Sequence, residues 1–173
     1  MTAREVGTTE RLVIEPLAPE HATGLFAALD DPRVGTHIGG PDVTTLEALE
    51  RRIAALLSAA PDGEEWRNWV VRHDGIIVGR LEATLHDDIA EVAYVFGPTW
   101  WGRGFATEGA RWMVDHLDGD VSQQWATVLP ANGPSIALLQ RLGFDAADAE
   151  SAPVPLMSYD DGDLVFARLR PAR

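Results

Sequence analysis

The sequence contains no cysteine and no lysine among its 173 residues. The absence of cysteine excludes disulfides, thiolate metal ligands and a cysteine nucleophile. All 14 basic residues are arginine, which excludes a Schiff-base lysine and the lysine of a Walker-type phosphate loop. A reaction catalysed by this chain therefore has no cysteine- or lysine-bound intermediate.

Long apolar runs are also missing. None approaches the ~20 residues that a membrane span needs, and Glu5 and Glu10 lie in an N-terminal segment without an apolar core, so no signal peptide is predicted. Apolar residues make up 46% and charged residues 24%, which is typical of a globular domain. We expect a cytoplasmic monomer or homodimer without a membrane partner, with a tail over residues 1–8 and one domain over 9–173.

Basic charge is scarce, with 14 basic residues against 27 acidic ones and a net charge of −13. Because proteins bind nucleic acid by neutralising its phosphates with Lys and Arg, no nucleic-acid partner is predicted. An acidic surface attracts cationic substrates, and the segment from Asp145 to Asp163 contains six acids and no base. Solubility alone is the competing explanation of these acids.

The order of predicted elements is typical of a mixed α/β sheet. Apolar and β-branched runs predict strands at 11–15, 66–72, 76–85, 89–96, 123–129 and 164–170, of which 66–96 form an antiparallel meander. Four helices are predicted. The first spans 19–29, and the second spans 46–57 after the capping box Thr44-x-x-Glu47. The third ends at about Leu117, and the fourth begins after Asn132-Gly133-Pro134. Residues 30–42 are predicted to be a loop or a broken helix. The expected class is α/β, with a mostly antiparallel sheet wrapped by about four helices.

A glycine-rich loop follows the third meander strand and contains Gly102 and Gly104. The helix start after it exposes unpaired N–H groups and a partial positive charge, and glycine lets a ligand approach the backbone closely. This pattern indicates a pyrophosphate cradle that needs no lysine. The dinucleotide pattern Gly-x-Gly-x-x-Gly fits less well because Thr107 stands at its last position. A tight strand-to-helix turn without a ligand is the alternative.

Two blocks of the sequence match the motifs of one family. The first is Gly102-Arg103-Gly104-Phe105-Ala106-Thr107-Glu108, and the second is Asn132-Gly133-Pro134-Ser135 followed by Leu138-Leu139-Gln140-Arg141-Leu142-Gly143-Phe144. They resemble the acetyl-CoA pyrophosphate loop and the Asn-x-x-Ser…Leu-Gly-Phe block of GNAT N-acetyltransferases, in the branch that resembles ribosomal-protein N-terminal acetyltransferases. Residues 91–95 and 11–17 match further strands of that branch, so the resemblance covers about residues 9–170.

The resemblance implies a GNAT-like sheet with a splayed centre and acetyl-CoA as cosubstrate. It implies that the cofactor is bound by Val95, Phe96, Trp101, Gly102, Arg103, Gly104, Phe105, Ala106, Thr107, Asn132 and Ser135. Trp101 departs from the usual Gln or Arg and is expected to contribute mainly its backbone N–H, and Ala93 replaces the usual strand glycine. Leu139 stands where many members have a tyrosine that protonates the leaving thiolate, so Ser135 is the substitute candidate.

The chemistry expected of such a site is direct attack of a primary amine on the thioester within a ternary complex. Glu91 is the predicted catalytic base, because a carboxylate in an apolar strand beside the cleft can have a raised pKa; a solvated or Arg-paired Glu91 is the alternative. Glu82 is a weaker candidate of the same type. Backbone N–H groups near residues 94–96 are expected to stabilise the oxyanion. Asn132 is expected to cap its helix, to bind the pantetheine arm, or both.

The predicted function is therefore an N-acetyltransferase acting on a cationic amine, such as a protein N-terminus, an aminoglycoside, a polyamine or another small amine. A non-catalytic acyl-CoA-binding domain and an interaction module without a cofactor are the alternatives. The spacing of His73, His86 and His116 matches no metal-ligand pattern, so no metal site is predicted. Trp66 and Trp69 are expected in the core rather than in an acceptor pocket.

Overall fold

The frame of the molecule is one mixed sheet with helices on both faces. The computed structural model describes residues 6–38 and 43–170. Within these residues, eight strands run in the order β1-β2-β3-β4-β5-β6-β8-β7. They span Gly7–Thr8 (β1), Val13–Pro16 (β2), Glu65–His73 (β3), Ile76–His86 (β4), Ile89–Phe96 (β5), Gln123–Val128 (β6), Asp145–Ala147 (β7) and Leu164–Leu169 (β8). The helices are Ala22–Leu29 (α1), Pro32–Ile38 (α2), Leu46–Leu56 (α3), Phe105–Leu117 (α4) and Gly133–Arg141 (α5).

The central strands part from each other after a short contact. Neighbouring strands are antiparallel except β5 and β6, which run parallel and pair only from Ile89 with Gln123 to Glu91 with Trp125. Beyond Glu91 the ladder ends although β5 continues to Phe96. The mostly antiparallel sheet with an opening at its centre is therefore confirmed.

The two faces of the sheet have separate cores. Met113 and Leu117 of α4 and Leu138 and Leu139 of α5 pack on one face. The other face packs against α1 and α3. Side chains of β5 alternate as a strand requires, because Val92 and Phe96 belong to the first core and Val95 packs against the second. None of the described helices is both long and apolar enough to cross a membrane.

Three local predictions need correction. The segment predicted to be a loop or a broken helix contains the regular helix α2, which starts at Pro32 after the Asp31 carboxylate accepts the backbone N–H of Arg33 at 2.9 Å. The helix α3 is capped by Thr45, one residue after the predicted Thr44; its hydroxyl accepts the N–H of Ala48 at 3.1 Å. Part of the predicted tail, Gly7–Thr8, is strand β1. The rest of these predictions at 1–5 and 39–42 lies outside the described residues.

Candidate active site

The glycine-rich loop ends on the first turn of α4. Gly102 and Gly104 have φ angles of +73° and +80°, a region that other residues rarely adopt. The first helical hydrogen bond runs from the N–H of Glu108 to the carbonyl of Gly104 at 3.0 Å. The N–H groups of residues 105–107 precede that bond, so the helix has no internal acceptor for them. With the positive end of the helix dipole, they make a site suited to an anionic group.

Arg11 holds the back of this loop in place. Its guanidinium donates to the carbonyl of Arg103 at 2.8 Å, pairs with Glu108 at 2.6 Å and lies 4.6 Å from the centre of the Phe105 ring. Burial pushes the pKa of Glu108 upward, but hydrogen bonds from Thr9 and Arg11 outweigh it and lower that pKa below its ordinary value. Glu108 therefore stays ionised, and its pair with Arg11 links the start of α4 to the loop.

Backbone groups of β5 face the opening between β5 and β6. The N–H of Gly97 donates to Val78 of β4 at 2.9 Å, so in the antiparallel register the odd-numbered residues of β5 bond to β4. The N–H and C=O groups of Tyr94 and Phe96 then point the other way, into the opening. Indole Nε1–H of Trp101 donates to the carbonyl of Phe96 at 2.7 Å. The other backbone groups of these two residues are oriented to bind an extended ligand.

The opening continues into a cavity of about 540 Å³ beside the glycine-rich loop. It is lined by ten of the eleven predicted cofactor residues: Val95, Phe96, Trp101, Gly102, Gly104, Phe105, Ala106, Thr107, Asn132 and Ser135. Phe105 is buried, so it offers the cavity mainly its backbone. Arg103 lies outside the lining, where its guanidinium is 5.2 Å from the Trp100 ring centre. The cavity therefore brings apolar side chains together with the free N–H groups at the start of α4.

Helix α2 forms a wall of the cavity that the sequence did not predict. Val34, His37 and Ile38 line it, and the His37 ring lies edge-on to Trp101 with 5.0 Å between centroids. Trp101 therefore contributes its side chain to this wall, whereas its backbone N–H donates to the carbonyl of Pro98 at 3.2 Å. Asp31-Pro32, an acceptor followed by proline, was the available signal for this helix. The glycines that follow in the sequence favour a loop over a helix more strongly than Asp31-Pro32 favours a helix start.

The start of α5 joins this wall to the strand opening. Asn132 caps α5, because its side-chain oxygen accepts the N–H of Ser135 at 3.2 Å, and its Nδ2 donates to the carbonyl of His37 at 3.1 Å. The hydroxyl of Tyr94 donates to the carbonyl of Ser135 at 3.4 Å. Burial raises the pKa of Tyr94 to about 12, so the phenol stays protonated. Asn132 is thus the helix cap, and it also ties α5 to α2.

The carboxylates predicted as bases lie outside the cavity lining. Glu91 is buried, and it accepts the N–H groups of Met157 and Ser158 at 2.7 and 2.9 Å and the hydroxyl of Ser158. Glu82 pairs with Arg80 and, at 3.2 Å, with Arg52. Both carboxylates are therefore engaged by hydrogen-bond donors.

The two tryptophans predicted to lie in the core, Trp66 and Trp69, differ in burial. Trp69 is buried in the core, and Trp66 is half-buried with its indole N–H donating to Glu64 at 2.8 Å. The core prediction for Trp69 is confirmed.

Comparison with known proteins agrees with this geometry. The family model described as "Acetyltransferase (GNAT) domain" matches residues 11–145. The uncharacterized N-acetyltransferase p20 of Bacillus licheniformis is 28% identical over 142 residues, which cover 79% of this chain and 80% of that protein. Among solved structures, the RimL ribosomal-protein alpha-N-acetyltransferase with coenzyme A has a TM-score of 0.79 at 16% identity, covering 96% and 98% of the two chains. The MccE self-immunity acetyltransferase with acetyl-CoA and AMP has a TM-score of 0.76 at 14% identity, covering 93% of each chain.

The mixed sheet that opens beside a glycine-rich helix start agrees with the fold of these acetyltransferases. The chain belongs to the GNAT acetyltransferase family. It is an N-acetyltransferase that uses acetyl-CoA as cosubstrate and an amine as acceptor.

Proposed function

We propose that this enzyme transfers the acetyl group directly to the amine of a protein N-terminus or of a small cationic molecule, within a ternary complex. The observation that carries the proposal is the opening between β5 and β6, which brings backbone donors, the glycine-rich loop and the start of α5 to one cavity. Direct transfer is favoured because the sequence contains no cysteine to hold the acetyl group.

In this proposal the bound cosubstrate supplies an activated thioester, and the chain supplies the rest. The N–H groups of residues 102–107 hold the pyrophosphate, and a backbone N–H of Tyr94 or Phe96 stabilises the oxyanion formed when the amine nitrogen attacks. The carbon–sulfur bond then breaks. Ser135, in the first turn of α5, donates a proton or a hydrogen bond to the departing thiolate. Thiols ionise near pKa ~8.5, so this donation assists departure without being essential to it.

Two side chains are candidates for taking the proton of the amine. Glu91 is the candidate from the strand pattern, and the donors that surround its carboxylate compete with proton transfer to it. His37 lines the cavity, and an unprotonated ring nitrogen of an imidazole can accept a proton. Replacing each in turn, as Glu91→Gln and His37→Asn, separates them. The variant that removes the acidic limb of the pH profile of kcat/KM identifies the base.

The acceptor is proposed from charge and from relatives. RimL is named as a ribosomal-protein alpha-N-acetyltransferase, and MccE was solved with AMP, so both protein and small-molecule acceptors occur among similar folds. The acidic residues Asp160, Asp161 and Asp163 follow directly on the loop that contacts Glu91. They favour a positively charged acceptor.

The test is a panel of amines assayed for release of CoA: a hexapeptide with a free amino terminus, a polyamine and an aminoglycoside. The matched control is the same hexapeptide with an acetylated amino terminus, which should release no CoA above background. Initial-rate plots for the best amine should intersect, whereas parallel lines would indicate an acetyl-enzyme. If acetyl-CoA stabilises the protein, by about 2.7 kcal/mol at 100 times its Kd, but no amine is acetylated, a non-catalytic acyl-CoA-binding domain is the better description.

A further inference from the structure

Ser158 connects the two central strands beyond the end of their ladder. The last residue pair of β5 and β6 is Glu91 with Trp125, and Thr127 lies two residues further along β6. Ser158 donates its N–H and its hydroxyl to Glu91, and its carbonyl accepts the hydroxyl of Thr127 at 3.2 Å. The two hydroxyls, of Ser158 and Thr127, are 2.9 Å apart. A chain of hydrogen bonds thus spans the opening where the backbone ladder stops.

The bridge lies on the face of the sheet opposite α4 and α5. Glu91, Trp125 and Thr127 alternate with residues of the first core, and Trp125 packs with Leu156. The cofactor loop and the start of α5 occupy the other face. With the cofactor bound there as proposed, the side of the bridge is the approach to the thioester that is left for an amine.

The bridge also fixes the loop that contains Met157 and Ser158. The N–H groups of Met157 and Ser158 both donate to the Glu91 carboxylate, which fixes their backbone. Met157 is 61% exposed and Tyr159 is 37% exposed, so the loop offers two large side chains to solvent next to the opening. A buried carboxylate that satisfies two backbone donors is a stable anchor for such a loop.

We propose that Glu91 is a positioning residue, whose carboxylate, through Ser158 and Thr127, holds β5, β6 and residues 156–159 in place as the acceptor-side wall of the opening. The effect on acceptor kinetics rests on the proposed function. The structural role of Glu91 rests on the hydrogen bonds alone. Loss of the bridge loosens the wall and weakens acceptor binding. With Glu91 in this positioning role, His37 accepts the amine proton, so loss of the bridge leaves proton transfer and the pyrophosphate loop intact.

The experiment compares Glu91→Gln, Ser158→Ala and Thr127→Val with the wild type, and uses Thr84→Val as the matched control. Thr84 lies on β4 directly opposite Glu91 of β5, but it is not part of the bridge. Hydrogen exchange in the free protein is measured at the amides of Met157 and Ser158. We expect exchange at one or both amides to be about tenfold faster in Glu91→Gln, because an amide oxygen replaces only one of two carboxylate acceptors. Unchanged exchange at both amides in this variant would overturn the bridge.

Kinetics with the best amine of the panel provide the second readout. All three bridge variants should raise the acceptor KM about fivefold to tenfold, with kcat and the acetyl-CoA Kd changed less than about threefold. The acidic limb of kcat/KM should persist in all of them. A loss of kcat and of that limb in Glu91→Gln, with normal behaviour of Ser158→Ala and Thr127→Val, would instead make Glu91 the base. If no amine is acetylated, the proposed function fails, and the exchange data still decide whether the bridge exists.

Discussion

Gly104 has a left-handed backbone and lies in the loop that is proposed to bind the pyrophosphate. Its φ of +80° disfavours a β-branched side chain, and a Cβ there would lie 3.2 Å from Nη2 of Arg11. We expect Gly104→Val to lower the free energy of unfolding by about 1–3 kcal/mol and to weaken acetyl-CoA binding at least about tenfold. Chemical denaturation and calorimetry measure the two effects.

A control variant separates backbone strain from loss of the site. Gly75 has a φ of +78° in the turn between β3 and β4, away from the cavity, and a Cβ there meets nothing within 4 Å. Gly75→Val should be destabilised to a similar degree and bind acetyl-CoA normally. Equal acetyl-CoA affinity in both folded variants would show that the loop is not part of the binding site.

Tyr94 predicts a specific alkaline behaviour. Its pKa is raised to about 12, whereas an unfolded tyrosine titrates near pH 10. The folded state therefore retains a proton that the unfolded state loses, so this contribution is complete below pH 10 and is lost as the pH rises towards 12. We expect the wild type to lose about 2 kcal/mol more stability than Tyr94→Phe between pH 9 and pH 11.5. Urea unfolding at both pH values checks this, and an equal loss would contradict the burial of the phenol.

Single residues show where sequence reasoning succeeds and where it stops. Period-2 alternation alone places Val92 and Val95 on opposite faces of the sheet, as the structure has them, because strand geometry determines this. It could not show that Ser158, 67 positions away in the chain, donates to Glu91. No sequence pattern indicates the hydrogen bond from the Trp101 indole N–H to the Phe96 carbonyl either, since that bond depends on the path of the loop.

Helix α5 supports a prediction at the scale of an element. Asn132→Asp keeps an oxygen that can accept the Ser135 N–H but loses the donor to the His37 carbonyl, whereas Asn132→Ala loses both. We expect Asn132→Asp to cost about 1 kcal/mol of stability, because its carboxylate faces the unpaired His37 carbonyl, and Asn132→Ala about 2 kcal/mol, because it also loses the helix cap. Both should weaken acetyl-CoA binding, which calorimetry measures. Normal affinity in Asn132→Asp would restrict Asn132 to helix capping.

Local signals predicted most elements but not all of their boundaries. The meander and the helices α4 and α5 follow from dense apolar runs and from glycine or proline at their ends. Helix α2 was missed because its seven residues include Gly35 and have only Val34 fully buried. Two adjacent threonines compete to cap α3, and only the three-dimensional structure selects Thr45.

Across the whole molecule, negative charge predicts how a cationic acceptor associates. Salt shortens the Debye length from about 10 Å at 0.1 M to about 3 Å at 1 M, so kcat/KM for such an acceptor should fall as salt rises. Neutralising Asp160, Asp161 and Asp163 together as Asn should lower kcat/KM at low salt, flatten its salt dependence and leave kcat nearly unchanged. Steady-state kinetics at several salt concentrations measure this.

The matched control neutralises three exposed acids elsewhere, as Glu10→Gln, Asp74→Asn and Asp115→Asn. It removes the same charge from other parts of the surface. If both triple variants behave alike, net charge acts without a local site. If neither differs from the wild type and kcat/KM ignores salt, these acids serve solubility.

The short ladder at the centre of the sheet has a mechanical consequence. Eight residue pairs join β4 to β5 and six join β6 to β8, but only three join β5 to β6. Apart from the two short edge strands β1 and β7, a load applied across the strands therefore meets its weakest line along the opening. Compliance is concentrated where acetyl-CoA is proposed to enter, and an occupant that bonds to both sides stiffens the enzyme along that line.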